Sequence, residues 1–199
     1  NWRNIAGNWR KGSMLILAMI LPFIALAIIA LYFVSLYNGL VSLKNSAEAA
    51  WHQIDVQLTR RADLLGNLVE TVKGYAAHEK RVFEEATAAR ASVGGSRTVG
   101  EAGRALADLD SALTRLLAVA ENYPNLKASA NFLALQKQLQ EIENSLAQAR
   151  QYYNEVVRRY NIACESFPAN LFAATFGFLQ RDYFEVAPAK VEPPKASFA

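Results

Sequence analysis

Hydrophobic and polar positions divide this chain into two unlike parts. No charged residue occurs over the 24 positions from Met14 to Tyr37, whereas beyond Tyr37 apolar residues recur at intervals of three and four. As a helix the first run is about 36 Å long at a rise of ~1.5 Å per residue, enough to cross a hydrocarbon core of about 30 Å with some tilt. It predicts a transmembrane helix over 14–37. A cleaved signal peptide fits less well: the run exceeds an ordinary apolar core of roughly 7–15 residues, and no small-residue cleavage pattern closes it. Pro22 lies inside the run, where a neighbouring helix or local adjustment can re-satisfy the backbone group it frees.

The rest of the pattern is helical, and strand alternation is absent. Leu135, Leu139, Ile142, Leu146, Ala149, Tyr153, Val156, Tyr160, Ala163 and Phe167 alternate spacings of four and three, a narrow seam along one long helix. Ala102, Leu106, Leu109, Leu113, Leu116 and Ala120 give a shorter helix that ends before the Asn122-Tyr123-Pro124-Asn125 turn, and Gly94, Gly95 and Ser96 read as a loop. Upstream, Ala47, Trp51, Ile54, Leu58, Leu65, Leu68, Val72 and Ala76 keep the same period. Gly66 can end one helix, Asn67 can cap the next, and Glu70 stands in capping-box spacing, which predicts a reversal there. The apolar phase also passes through Gly66 unbroken, so one helix carrying an unfavourable glycine stays open. Lengths favour the reversal: segments near 38–64, 67–92, 101–121 and 126–165 span roughly 40, 39, 31 and 60 Å at the helical rise.

The expected fold is therefore all-α: a single N-terminal transmembrane helix, then an antiparallel up-and-down bundle of four helices with a short aromatic C-terminal helix. The divisions are a basic segment at 1–13, the span at 14–37, the bundle at 38–185 and a Pro-containing extended tail at 186–199. Phe167, Leu171, Phe172, Phe176, Phe178 and Leu179 return to the membrane end. There they can pack under the bundle, lie in the lipid interface or meet a neighbouring subunit.

Charge orients this arrangement. Arg3, Arg10 and Lys11 precede the span, while the first charges beyond it are Lys44, Glu48 and Asp55. The positive-inside rule puts the N-terminus in the cytoplasm and the bundle across the membrane. A net charge of +3 with interspersed acids argues against nucleic acid as a partner. The single cysteine, Cys164, excludes an internal disulfide and falls on an apolar helical face, where it reads as packing.

Several blocks then carry a resemblance. Tyr37-Asn38-Gly39-Leu40-Val41, Ala50-Trp51, Ile54-Asp55-Val56-Gln57-Leu58, Arg60-Arg61 and Asn67-Leu68-Val69-Glu70-Thr71-Val72-Lys73-Gly74-Tyr75-Ala76 resemble the LemA family of bacterial membrane-anchored helical proteins. Asn122-Tyr123-Pro124-Asn125-Leu126-Lys127, Tyr153-Asn154, Tyr160-Asn161 and Phe167-Pro168-Ala169-Asn170 extend the match over roughly 37–185. Gly66 stands where that family usually has Pro, and Ala62 where it usually has an aromatic. The resemblance implies a membrane helix, an antiparallel bundle and no defined molecular activity. It also implies relatives that act in magnetosome formation and others encoded near membrane metallopeptidases.

Candidate chemistry is sparse. His52 and His78 stand alone, without an H-E-x-x-H pair, a cysteine cluster or a phosphate-binding glycine loop, so neither a metal nor a cofactor is expected. Carboxylates such as Glu84, Glu85, Glu141 and Glu143 sit among Lys, Arg and Gln, as on a solvated helix face. An enzyme would need Asp55, Arg61, Asn67 and Tyr160 to close a pocket around a perturbed carboxylate. More informative are amides and tyrosines beside the apolar seam. Asp55, Asn131, Asn144, Asn154, Tyr160 and Asn161 are candidates for a polar network that fixes helix register. Arg60, Arg61, Asp63, Asn67, Asn122, Tyr123 and Asn125 are candidates for partner binding at a membrane-distal tip. The expected function is non-enzymatic: a self-associating envelope scaffold or assembly factor in the lipid bilayer. The other reading is an accessory or regulatory subunit of a membrane peptidase or other envelope protein.

Overall fold

The computed structural model describes residues 2–95 and 98–185, with side-chain surroundings from Met19 onward; the tail expected over 186–199 lies outside the described residues. Helix α1 runs unbroken from Trp2 to Lys73, so the apolar run and the seam after it form one rod. Its segment after Met19 is long and apolar enough to cross a membrane, and its most apolar stretch is unburied by other parts of the chain.

The reversal expected at Gly66 does not occur. Ile54, Leu58, Leu65, Leu68 and Val72 are all fully buried, so one stripe continues on both sides of the glycine and a turn there would split it. Nor does Gly66 adopt the left-handed conformation of a helix-ending residue; among the described glycines only Gly177 has positive φ, at 76°. The missing side chain serves a close approach, since a Cβ at position 66 would stand 2.7 Å from Nη1 of Arg90. The chain turns instead over residues 74–79, where the Ala76 N–H donates to the Val72 carbonyl at 2.9 Å.

Helix α2 spans Lys80–Gly95 and continues through two glycines expected in a loop. Helix α3, Val99–Glu121, starts at a reciprocal capping box: the Glu101 N–H donates to Thr98 Oγ1 at 3.2 Å, and the Thr98 N–H to Glu101 Oε2 at 3.0 Å. Pro124 opens the four-residue α4, Pro124–Lys127. Ser129 then caps α5, Ala130–Glu165, its Oγ accepting the Phe132 N–H at 3.2 Å. The chain thus breaks once more between Lys127 and Ala130 than the expected 126–165 helix allowed.

Contacts between α1 and α5 run in opposite numerical order. Leu40 clusters with Tyr160 and Cys164, Trp51 lies 5.8 Å from Tyr153 between ring centroids, and Arg61 meets Glu143. Element lengths explain what completes the core. The 36 residues of α1 beyond Tyr37 and the 36 of α5 each span about 54 Å, whereas the 16 of α2 and 23 of α3 span only about 24 and 35 Å. The helix pair α2–α3 therefore leaves the lower part of α1 and α5 uncovered. The chain after α5 fills that space: Ala169, Ala173 and Phe178 join Leu40, Tyr160 and Cys164 in a second buried cluster. This aromatic segment is not the short helix expected. It makes one 3-10 turn at Ala169–Leu171, further turns to Gly177, and then an irregular run to Glu185, because its rings pack onto α1 rather than lining one helical stripe.

Candidate functional site

Two asparagines on α5 hold the chain's own C-terminal run. Asn161 Nδ2 donates to the Arg181 carbonyl and the Arg181 N–H donates to Asn161 Oδ1, both at 2.9 Å. Seven residues earlier, Asn154 Nδ2 donates to the Phe184 carbonyl at 3.1 Å and the Phe184 N–H donates to Asn154 Oδ1 at 2.8 Å. The spacing is geometric. Seven helical residues rise about 10.5 Å, and three residues of nearly extended chain cover about the same distance, so residues 181 and 184 meet two amides on one helix face. Between them Tyr153 Oη donates to the Asp182 carbonyl at 3.0 Å, and Phe184 is buried against Trp51, 6.3 Å between centroids, with the Arg150 guanidinium 5.6 Å from its ring. Gly103 on α3 lets this run approach, since a Cβ there would stand 2.9 Å from the Glu185 carbonyl oxygen.

Burial disfavours ionisation along this wall. It raises the Tyr153 hydroxyl pKa, and with the Cys164 contact it pushes Tyr160 up to about 12. Burial also raises the Cys164 thiol, partly opposed by Tyr160, so that residue is a packed neutral thiol rather than a nucleophile.

Higher up, Arg61 is 5% exposed and ties three helices together. Its Nη2 lies 2.5 Å from Asp110 Oδ1 of α3 and in close ion contact with Glu143 of α5, while its Nε has no hydrogen-bond acceptor among the described residues. Burial raises the Glu143 pKa against the opposing pull of Arg61. From this cluster, 12 residues of α1 lead to Lys73 and 11 of α3 to Glu121, about 18 and 17 Å, so the turns at 74–79 and 122–129 stand level at the distal end.

The residues singled out in the sequence are therefore not one site. Arg61 is interior. Arg60 is exposed, Asp63 pairs with Arg90 of α2 at 3.6 Å, and Asn67 is exposed within α1, its carbonyl accepting from Thr71 Oγ1 at 2.9 Å. Asn67 thus lies below the tip rather than in it, while Asn122, Tyr123 and Asn125 do occupy the distal turn. Of the polar-network candidates, Asn154 and Asn161 hold the C-terminal run and Tyr160 is buried beside Cys164. Asn131 and Asn144 are exposed, and Asp55 is half-buried. Asp55, Arg61, Asn67 and Tyr160 do not converge, because Tyr160 packs with Leu40, 21 residues and about 32 Å down α1 from Arg61. Among the described residues no group of three or more His, Cys, Asp or Glu side chains could hold a metal ion.

Sequence comparison adds the family. The sequence model of the LemA family matches residues 50–198. The chain belongs to the LemA family. Similar relatives are Magnetosome protein MamQ 2 and MamQ 1 of Paramagnetospirillum magneticum AMB-1, each 29% identical over 183 positions. Magnetosome protein MamQ of Magnetospirillum gryphiswaldense is 28% identical over 183 positions. Each alignment covers 79% of this chain and 67% of the relative. Neither the family's name nor those of these relatives indicates a catalytic activity.

Within this LemA-family chain, Asp110, Arg90 and the run from Arg181 to Glu185 escaped the sequence reading. Asp110 and Arg90 act only across helices and carry no local pattern. The run had one available signal: two Tyr-Asn pairs, Tyr153-Asn154 and Tyr160-Asn161, seven residues apart on one face.

Proposed function

We propose that this chain is a non-enzymatic, membrane-anchored helical-bundle protein that self-associates as a scaffold or assembly factor in a bacterial envelope. The observation that carries this reading is the continuity of α1, which joins the apolar run to the Arg61 cluster without a hinge. In a bilayer such a rod fixes the height and tilt of what it carries, as a repeating assembly requires, whereas a flexible linker would let neighbouring copies tumble. In this reading 1–13 are cytoplasmic, 14–37 cross the inner membrane once, and 38–185 form an antiparallel bundle on the far side. The distal turns at 74–79 and 122–129 then face away from the membrane, open to partners.

The test is the size of the full-length particle after mild detergent extraction from its own membrane. A large homomeric particle supports the proposal. A monomer, or a small particle retained stoichiometrically by a membrane peptidase, overturns self-association, and the latter establishes the accessory role instead. Orientation is tested by replacing Asn125 with cysteine and adding an impermeant thiol reagent to intact spheroplasts, where labelling is expected. Protection until lysis would reverse the topology.

A further inference from the structure

The 14 residues from Ser166 to Leu179 carry no charge. Within them Phe167, Leu171, Phe176 and Leu179 are 80%, 70%, 60% and 68% exposed, an unusual concentration of large apolar side chains on one short segment. The segment is docked on the end of the apolar run of α1. Phe172 lies 5.5 Å from Phe33, and Tyr37 lies 5.5 Å from Phe176 and 5.4 Å from Phe178, all between ring centroids in edge-on geometry. Phe33, Val34, Tyr37, Phe172 and Phe176 line an open, apolar recess of about 490 Å³.

Depth along α1 identifies the occupant. Measured from the middle of the 14–37 run, Phe33 stands about 11 Å and Tyr37 about 17 Å along the helix. Half the hydrocarbon thickness is about 15 Å, so the segment that touches both residues sits at the boundary between acyl chains and headgroups. Charge resumes just beyond it: Gln180 Nε2 donates to Glu165 Oε1 at 2.6 Å, and Arg181 pairs with Glu48 at 3.2 Å. An uncharged apolar surface on the bilayer side and an ion-paired collar on the water side are what an interfacial segment requires.

We infer that Ser166–Leu179 is a second membrane contact, immersed in the lipid interface of the leaflet from which α1 emerges, with acyl chains entering the recess beside Phe33 and Phe176. The protein is then held at two points, by a spanning helix and by an interfacial loop clamped to α5 through Asn161. Two-point attachment restrains rotation about the axis of α1, which a single spanning helix leaves free. This inference rests on the reading of α1 as membrane-spanning.

The test uses the full-length chain in vesicles of phosphatidylcholine and phosphatidylglycerol, with nitroxide labels on Leu171→Cys or Leu179→Cys. Buried Cys164 is replaced by Ala. Collision with oxygen, which concentrates in lipid, is compared with collision by a water-soluble nickel chelate. Glu141→Cys on α5 and Leu31→Cys on α1 serve as water and lipid references. The expected oxygen-to-nickel ratio at 171 and 179 is several-fold above that at 141. A ratio equal to that at 141, with 31 still lipid-like, overturns the interfacial contact and leaves the span intact. A water-like ratio at 31 overturns the span itself. Low collision with both reagents at 171 and 179 means that protein covers the segment, a second copy or the chain's own 186–199, and likewise overturns the inference.

Discussion

Asn154 and Phe184 exchange two hydrogen bonds, side-chain amide to backbone amide, and Asn161 repeats the exchange with Arg181 two helical turns away. Each asparagine satisfies both the N–H and the carbonyl of a residue that belongs to no helix or strand. Replacing Asn161 with Ala strands both groups of Arg181 in a site where Asn161 itself is only 8% exposed, an expected loss of about 1–3 kcal/mol. Asn154→Ala, at a half-buried position, is expected at the lower end. Urea unfolding of the detergent-solubilised chain measures the loss, and amide exchange at Arg181 and Phe184 localises it. Wild-type exchange at both amides in the two variants would show that the run is not held by these side chains.

Gly66 offers a direct test of the continuous α1. A helix-interior glycine costs about 1 kcal/mol relative to alanine, while a glycine in a left-handed helix-ending position is disfavoured by replacement. The alanine methyl at position 66 would press on Arg90, but that side chain is 46% exposed and can swing outward, losing only a 3.6 Å surface pairing with Asp63. Gly66→Ala is therefore expected to leave stability unchanged or raise it by up to about 1 kcal/mol. A clear drop in urea midpoint would favour a turn at this position.

These two cases show what the sequence disclosed and what it withheld. The seams of α3 and α5 were legible because burial there follows a helical period, as at Leu106, Leu109, Leu146, Tyr153 and Val156. The break in α1 was misplaced because Gly66, Asn67 and Glu70 satisfy a local capping rule while the stripe from Ile54 to Val72 satisfies a non-local packing rule, and packing prevails. Asn154 and Asn161 were recognisable as amides beside a seam, but their partners, Phe184 and Arg181, lie 30 and 20 residues away in a segment without period. Arg61 reads from the sequence as a partner-binding candidate beside Arg60; only the convergence of α3 and α5 makes it interior.

Glu143 makes stability depend on pH in a predictable direction. Burial raises its folded pKa above 4.5, so the folded chain holds this proton more tightly than the unfolded chain. That contribution is fully present below the unfolded value and is lost as pH rises through the folded one. In Glu143→Gln the loss is absent while Arg61 keeps Asp110. The stability of the variant relative to wild type should thus increase as pH rises above the ordinary carboxylate range, as measured by unfolding at several pH values. A relative stability that falls as pH rises would mean that the attraction of Arg61 outweighs the burial of the carboxylate.

Gly103 separates the docking of the C-terminal run from the stability of the bundle. Alanine in the interior of α3 gains about 1 kcal/mol of helix propensity, but its Cβ would stand 2.9 Å from the Glu185 carbonyl oxygen. That neighbour is backbone, held in place through Phe184 by Asn154, so relief requires the run itself to move. The two effects act on different observables. Global unfolding of Gly103→Ala should stay within about 1 kcal/mol of wild type, because propensity offsets the lost docking. Amide exchange at Phe184 should accelerate at least about tenfold, equivalent to some 1.4 kcal/mol of local opening. Unchanged exchange at Phe184 would mean that the run does not pass over Gly103, and faster exchange along all of α3 would mean that the substitution damages the helix rather than its contact.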